Sequence, residues 1–230
     1  KSLHLVNLRM WNRAHPLHSL SCSILLVAGR FVKRRNVRLG DNRGMPNAFA
    51  TASDSVLVVV DIQPGFMKWM EGVEPTIRRS EFMIRMAALL GIPILATEQY
   101  PERMGGTHPD LAPLLPEPPI GKTTFSCVGS GEFLARLKKA RRPQVVLIGI
   151  ETHICMTQTA LHLRSLGYEV MAAVDTMAAR TRDRHEIGLE RLRSAGVTLA
   201  HSESIAYEWL LSAENPAFKD ALKIVKEFAS

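Results

Sequence analysis

The stretch Ser55-Val56-Leu57-Val58-Val59-Val60-Asp61 decides the fold class of this 230-residue chain. Within it, four valines and one leucine form an unbroken apolar run that ends at a carboxylate. A run of this length and composition predicts a strand that is buried on both faces. Such strands are typical of parallel sheets that carry helices on both sides. We therefore expect residues 56–60 to form a strand of such a sheet, with Asp61 at its carboxyl end.

Short apolar runs and amphipathic stretches alternate along the chain that follows. Further strands are predicted over residues 93–97, 144–149, 168–174 and 197–200. Helices are predicted over residues 75–90, 131–140, 152–165 and 183–195, and two more close the chain. Thr152 is expected to cap the third of these helices. This alternation predicts a single doubly wound α/β domain with a right-handed, mostly parallel sheet.

Residues 98–130 form a loop-rich section with many prolines and glycines. Loops of this length in a compact domain are usually functional. We therefore look for site residues in this section as well as at the carboxyl ends of the strands.

Composition and charge exclude several classes of protein. A hydrophobic share of 46% and only three cysteines exclude a disordered acidic chain, a collagen-like fibre and a disulfide scaffold. The net charge of +7 is confined to one end. Residues 1–44 hold nine basic residues and one acidic residue, whereas residues 45–230 hold 20 basic and 21 acidic residues. The body is therefore nearly neutral, and we expect it to bind neither nucleic acid nor membrane.

Residues 1–44 are interpreted as a basic leader, separate from a domain spanning residues 45–230. Their apolar run at residues 24–28 is too short to cross a bilayer. A secretory signal is one reading, although the arginines that follow the run argue against it. A mitochondrial transit peptide is another. The third is an over-extended start before Met45 or the end of a fragment. We expect a cytoplasmic protein, or a mitochondrial one if the leader is a transit peptide.

Three residues carry the predicted chemistry. Ligands bind at the carboxyl ends of strands in sheets of this type. Asp61 directly follows the first strand, Cys155 follows the third predicted strand at the start of a helix, and Lys122 lies in the loop-rich section. A helix N-terminus favours a thiolate, so we expect a lowered pKa for Cys155. Taken alone, the spacing leaves open that Cys155 is inert packing and that Asp61 is a structural cap.

Four motifs, in order, resemble those of the isochorismatase-like cysteine hydrolases, in particular a branch of small hydrolases that contain only this domain. They are Val58-Val59-Val60-Asp61-Ile62-Gln63-Pro64-Gly65-Phe66, Thr97-Glu98-Gln99-Tyr100-Pro101, Lys122-Thr123-Thr124-Phe125-Ser126 and Gly149-Ile150-Glu151-Thr152-His153-Ile154-Cys155. The likeness extends from about Ser55 to Ala229. It implies a three-layer, Rossmann-like fold around a six-stranded sheet.

The resemblance also implies a catalytic triad of Asp61, Lys122 and Cys155. In this mechanism Asp61 takes the thiol proton, and Cys155 attacks a carbonyl carbon to form a thioester. The backbone N–H groups of Glu151 and Cys155 would hold the oxyanion, and the Ile150–Glu151 peptide bond would be cis. Four residues within the motifs are expected to line the substrate pocket: Gln63, Phe66, Tyr100 and Phe125.

Departures from the family pattern narrow the expected chemistry. The nicotinamidase branch carries an Asp and two His metal ligands after the second strand. This chain instead has Glu98-Gln99-Tyr100-Pro101, with only His108 further on, so we expect no metal and no other cofactor. Isochorismatases proper lack the cysteine nucleophile. Cys155 therefore argues for the hydrolysis of a small non-peptide amide or a related acyl compound.

Other candidate residues are given structural roles. His153 lies about 200° around a helix from Cys155, so the two would not form a dyad, and an exposed or capping histidine is expected. Cys127 is expected to be a small buried residue, although it could also line the pocket. Asp175 is expected to end a strand and to be structural.

Two alternatives to the hydrolase remain open at this point. The first is a catalytically weak or inactive protein that uses the same fold for binding or as a scaffold. The second is nucleic-acid binding through the basic leader. Proteins that resemble this one commonly associate, so we expect a small-molecule substrate and a homo-oligomer, a dimer or larger.

Overall fold

The computed structural model describes residues 49–70 and 72–228. The predicted leader, residues 1–44, lies outside the described residues, so the boundary at residue 45 stays a prediction. Six strands form one sheet: Ser55–Val60 (β1), Ile94–Gln99 (β2), Ile120–Lys122 (β3), Gln144–Ile150 (β4), Glu169–Ala178 (β5) and Thr198–Ala200 (β6). Their spatial order is β3-β2-β1-β4-β5-β6, and every neighbouring pair is parallel. The predicted doubly wound α/β fold is confirmed.

Helices cover both faces of this sheet. The α-helices among the described residues are Pro64–Met67 (α1), Glu74–Leu89 (α2), Pro101–Met104 (α3), Gly131–Ala140 (α4), Thr157–Ser165 (α5), Arg182–Ser194 (α6), Ser202–Leu210 (α7) and Phe218–Glu227 (α8). Short 3-10 turns cover Ala112–Leu114 and Cys127–Gly129, and a π-helical turn covers Thr152–Met156.

Alternate residues of β1 enter two separate cores. Leu57 and Val59 pack into a cluster with Phe82 of α2 and other residues on that face. Val56 and Val58 pack into a second cluster, which Leu163 of α5 also joins. Because successive strand residues point to opposite faces, an unbroken apolar run supplies both cores. Each fully buried aliphatic side chain contributes about 1.5–3 kcal/mol.

β1 lies at the point where the chain changes direction across the sheet. It pairs with β2 on one side and with β4 on the other. The connections from these strands leave in opposite directions, which opens a crevice at their carboxyl ends. Asp61 follows β1 at this crevice, and the π-helical turn follows β4.

Five of the six strands were predicted individually. The strand that was not, β3, lies inside the section that we predicted to be loop-rich. It has only three residues and pairs with the end of β2, where Gln99 aligns with Lys122. A strand with one apolar residue and a glycine gives almost no periodic signal. The structure therefore places Lys122 at a strand end, and Cys155 after the fourth strand along the chain and not the third.

Two local predictions about β5 and the segment after β4 are wrong. Thr152 is not a helix cap, because Glu151 holds that position and the Thr152 hydroxyl donates to the Ala178 carbonyl at 3.0 Å. Asp175 does not end its strand, which continues to Ala178. The register of the β4–β5 pairing shifts between Leu147 and Gly149. β5 continues beyond this shift, and no feature of its sequence predicts that. Asp175 accepts the Ser202 N–H at 2.7 Å and thereby anchors α7, a structural role.

Among residues 49–70 and 72–228, no helix combines the length and the apolar character needed to cross a membrane.

Candidate active site

Asp61 is held at the end of β1 in a single orientation. Its backbone N–H donates to the Thr97 carbonyl at 3.1 Å, and its φ angle is +52°. Its side chain is 1% exposed. One carboxylate oxygen, Oδ1, accepts the Thr97 hydroxyl at 2.8 Å, and Oδ2 accepts Lys122 Nζ at 2.7 Å. Cys155 lines the same cavity as this carboxylate, and the two groups interact electrostatically. The structure therefore brings Asp61, Lys122 and Cys155 together.

Lys122 is fully enclosed by acceptors. Its Nζ lies 2.7 Å from Asp61 Oδ2, 2.6 Å from Gln99 Oε1, and 3.1 and 3.2 Å from the carbonyl oxygens of Thr124 and Phe125. An ammonium has three protons, so these acceptors use all of its donors. Burying an ion pair is costly unless such hydrogen bonds accompany it. Lys122 therefore fixes Asp61 and the loop that carries Phe125.

Cys155 lies in the π-helical turn and is 6% exposed. Burial raises the pKa of its thiol well above the ordinary value, and the Asp61 carboxylate raises it further, whereas Lys122 opposes both effects. The predicted lowering of the Cys155 pKa is therefore wrong, because desolvation outweighs the helix terminus. The resting group is a thiol, and a thiolate forms only when a base accepts its proton.

Asp61 is suited to be that base. Burial raises the pKa of its carboxyl group above the usual range, while Lys122 and Thr97 act in the opposite direction. A carboxylate with a raised pKa accepts a proton more readily than an ordinary one. Asp61 and Cys155 line the same cavity, so the carboxylate lies near the thiol whose proton it would accept.

A cavity of about 50 Å³ opens beside Cys155. The residues that line it are Asp61, Phe66, Gln99, Phe125, Ile150, Glu151, Ile154 and Cys155. Phe125 is 53% exposed. The cavity is far smaller than the sites that hold drug-sized ligands, which are about 300–1,000 Å³.

Two of the four predicted pocket residues do not line this cavity. Gln63 is buried, and its amide group donates to the carbonyls of Gln99 and Gly105 at 3.2 and 2.6 Å and accepts the Gln99 N–H at 2.7 Å. It therefore ties the end of β2 to the loop beyond it. Tyr100 has a left-handed backbone (φ +47°), and its exposed ring lies 5.0 Å beneath the Arg103 guanidinium.

The structure adds residues that the sequence reasoning did not select. Thr97 and Gln99 contact Asp61 and Lys122 directly. Both belong to the motif at the end of β2. Their position at a strand end beside the crevice could have identified them as site residues. Glu151, which was selected only for its backbone N–H, has a carboxylate that pairs with Arg180, 29 positions further along the chain. No local sequence pattern predicts the pairing of Glu151 with Arg180.

The remaining candidates have structural surroundings. Cys127 is fully buried, with its Sγ 3.5 Å from Thr97 Oγ1, and burial raises its pKa to about 11. His153 is half-buried and does not cap the helix, contrary to expectation, and burial lowers its pKa. The Ile150–Glu151 peptide bond is cis.

The residues at the position of the nicotinamidase metal site do not suit a metal ion. Glu98 Oε1 accepts the backbone N–H and the hydroxyl of Thr107 at 2.6 and 2.8 Å. His108 Nδ1 lies 3.7 Å from the Asp110 carboxylate. Within the described part of the chain, no three His, Cys, Asp or Glu side chains are grouped to hold a metal.

Comparisons with known proteins find a matching domain and similar chains. Residues 55–204 match the isochorismatase domain. Over 175 residues the chain is 36% identical to isochorismatase domain-containing protein 2A of Mus musculus, covering 75% of this chain and 83% of the relative. It is 33% identical to the secreted isochorismatase effector Isc1 of Phytophthora sojae (strain P6497) over 178 residues, covering 75% and 85% of the two chains.

Two solved structures share the fold. A protein described as the MAR1 ribonuclease of Caenorhabditis elegans superimposes with a TM-score of 0.74 and 31% identity, covering 78% of this chain and 93% of that one. The YcaC gene product of Escherichia coli, described as an octameric hydrolase of unknown specificity, superimposes with a TM-score of 0.71 and 18% identity. That alignment covers 79% of this chain and 93% of YcaC, and it bears on the fold alone.

Proposed function

The chain belongs to the isochorismatase family, whose fold is hydrolase-like, and we propose that it hydrolyses a small non-peptide amide or related acyl compound without a metal ion. Asp61, Lys122 and Cys155 form the proposed catalytic group. The observation that carries the proposal is a buried carboxylate, held by a lysine at 2.7 Å, that lines the same cavity as a buried thiol. This pair can form a nucleophile at the moment of attack, with no free thiolate at rest.

The proposed reaction has two halves. In the first, Asp61 accepts the Cys155 proton while sulfur attacks the carbonyl carbon, and the backbone N–H groups of Glu151 and Cys155 hold the oxyanion. Protonated Asp61 then donates to the leaving amine as the carbon–nitrogen bond breaks, which leaves a thioester. In the second half, Asp61 accepts a proton from water, whose oxygen attacks the thioester carbon. The carbon–sulfur bond breaks, and Asp61 returns the proton to Cys155.

Trapping the acyl-enzyme tests this proposal. The full chain is mixed with p-nitrophenyl acetate, and nitrophenolate release and intact mass are followed together. We expect a burst of release and one acetyl group on Cys155. The Cys127→Ala variant is the matched control, because that cysteine is buried beside the same carboxylate but does not line the cavity. Acetylation that persists in Cys155→Ala, or no acetylation of the wild type, would contradict the proposal.

Ribonuclease activity is a second candidate, because the MAR1 protein that shares the fold is described as a ribonuclease. The cavity disfavours it. A phosphodiester is anionic, and beside Cys155 it would meet the carboxylate of Asp61, which interacts electrostatically with that sulfur. We expect no cleavage of single-stranded RNA above that of Cys155→Ala, and cleavage that depends on Cys155 would favour the ribonuclease.

We also propose that the protein self-associates. The octameric state described for YcaC, which shares the fold, supports this, although at 18% identity it does not define an interface. Sedimentation of the full chain measures the assembly directly.

A further inference from the structure

The π-helical turn that carries Cys155 is hydrogen-bonded within itself. The backbone N–H groups of Ile154 and Met156 donate to the Glu151 carbonyl at 3.0 and 3.2 Å. These bonds set the shape of the turn. They do not fix its position against the sheet, because their partners all lie in the turn or directly before it. Other contacts must therefore hold the turn in place.

The buried side chain of Thr152 joins this turn to two other elements. Its hydroxyl donates at 3.0 Å to the carbonyl oxygen of Ala178, the last residue of β5. The same hydroxyl oxygen lies 2.8 Å from Nδ1 of His185, which belongs to α6. Thr152 directly follows Glu151 and precedes Cys155 by three residues. It therefore anchors the chain between the two backbone N–H groups that the proposed mechanism uses for the oxyanion.

These hydrogen bonds determine which nitrogen of His185 carries the proton. A threonine hydroxyl has one proton, and a carbonyl oxygen, which can only accept, takes it here. His185 Nδ1 must therefore be the donor in the second hydrogen bond. Burial lowers the pKa of His185, while Glu186 opposes this effect. The ring is therefore neutral at neutral pH, and it acts on the turn as a hydrogen-bond donor and not as a charge.

Resting on the proposed function, we infer that His185 is a positioning residue for the Cys155 nucleophile and acts through Thr152. Its Nδ1–H holds the threonine hydroxyl, whose proton is thereby directed to the Ala178 carbonyl, so that both α6 and β5 fix the turn. His185 takes no part in proton transfer, because Asp61 serves as the base. Without the Nδ1–H the turn is held less firmly, and the sulfur and the oxyanion donors spend less time in the reactive arrangement.

Replacement of His185 by asparagine and by glutamine distinguishes a positioned donor from general packing. The amide nitrogen of asparagine is as many bonds from Cβ as histidine Nδ1, whereas that of glutamine is one bond further. His185→Asn should keep the rate constant of the nitrophenolate burst from p-nitrophenyl acetate within about threefold of the wild type, and His185→Gln should lower it at least about tenfold. Glutamine has the higher helix propensity, so a loss of helix stability would produce the opposite order.

Two further measurements show whether His185 acts through the turn. Amide hydrogen exchange of residues 151–157 should be faster in His185→Gln than in His185→Asn. In a Thr152→Val background the two His185 variants should have equal burst rates, because the hydroxyl on which they act is gone. His201→Gln is the matched control, since the His201 ring lies 3.2 Å from the Asp175 carboxylate at the start of α7. It should change neither the burst nor the exchange of the turn.

The outcomes separate this inference from the proposed function. If the wild type is not acetylated at Cys155, the proposed function is overturned. Hydrogen exchange then decides whether His185 holds the turn, and equal exchange in the asparagine and glutamine variants contradicts that role.

If the wild type is acetylated but the two His185 variants have equal burst rates, only the positioning role fails. The same holds if their difference persists in the Thr152→Val background. If His185→Gln does not fold, Thr152→Val takes its place, and wild-type values of its burst rate and hydrogen exchange contradict the inference.

Discussion

Two buried cysteines lie on short turns beside the same carboxylate, yet only one has the surroundings of a nucleophile. Cys155, in the π-helical turn, lines the same cavity as Asp61. Cys127, in the 3-10 turn that follows the Lys122 loop, reaches Asp61 only through Thr97, because Thr97 donates its one hydroxyl proton to Asp61. Burial raises the pKa of both thiols. Access to the cavity that Asp61 also lines distinguishes Cys155 from Cys127, and low acidity of the thiol is common to both.

The largest expected effect comes from removing each thiol in turn. Cys155→Ala should reduce kcat/KM for an activated acyl ester at least about 10³-fold, because it removes the atom that forms the covalent bond. Cys127→Ala should change kcat/KM by less than about tenfold, since it removes only a distant hydrogen bond to Thr97. Steady-state hydrolysis by both variants, with circular dichroism as a check on folding, measures the contrast. Equal losses would mean that the two turns are not functionally distinct.

A glycine beside each turn tests how tightly the turn is packed. A Cβ atom added to Gly188 of α6 would lie 3.0 Å from Thr152 Cγ2 and 3.1 Å from the His153 backbone, whereas one added to Gly131 of α4 meets no atom within 4 Å. Gly188→Ala should therefore displace the nucleophile turn, with a loss of about 1–3 kcal/mol in the free energy of unfolding and a lower kcat.

Gly131→Ala is the control for this packing effect. It should be neutral or slightly stabilising, because alanine restricts the unfolded chain and has the higher helix propensity. Urea unfolding of both variants provides the measurement. A Gly188→Ala protein as stable and as active as the wild type would show that the turn adjusts without cost.

The smallest expected effect concerns the hydroxyl of Thr97, which contacts both Asp61 and Cys127. Thr97→Val removes the proton donated to Asp61 Oδ1 while keeping the shape of the side chain. Because that hydrogen bond lowers the pKa of Asp61, its loss should raise this pKa further. The base must be ionised to accept the thiol proton, so the acidic limb of the kcat/KM profile should move to higher pH. At neutral pH we expect a loss of about tenfold.

Thr159→Val provides the matched control for Thr97→Val. Thr159 Oγ1 accepts the Cys127 backbone N–H at 3.0 Å, and no hydrogen bond connects it to Asp61. The same substitution there should leave the acidic limb in place. Profiles that shift equally in both variants would indicate a general loss of packing and no specific effect on Asp61.

The sequence predicted the long strands and helices of the fold well and missed the short strand β3. β1 and β4 are continuous apolar runs, and the amphipathic helices carry periodic signals over many residues. β3 has three residues and owes its strand geometry to pairing with β2. The motifs similarly predicted Asp61, Lys122 and Cys155, because strand ends and turn residues are local features. Gln63 and Tyr100 lie in the same motifs but have structural surroundings, since motif position does not report which way a side chain points.

The sequence by itself determined the order of elements, the double burial of β1 and the three residues of the proposed catalytic group. Only the tertiary structure decided the electrostatics. The pKa of Cys155 is raised and not lowered, because burial depends on everything that packs around the sulfur and outweighs the local helix terminus. The Glu151–Arg180 pair, the four acceptors around Lys122 and the small cavity likewise depend on residues far apart in the chain. Apolar patterns can be identified from neighbouring residues in the sequence, whereas desolvation and charge pairing depend on residues that are close only in the folded structure.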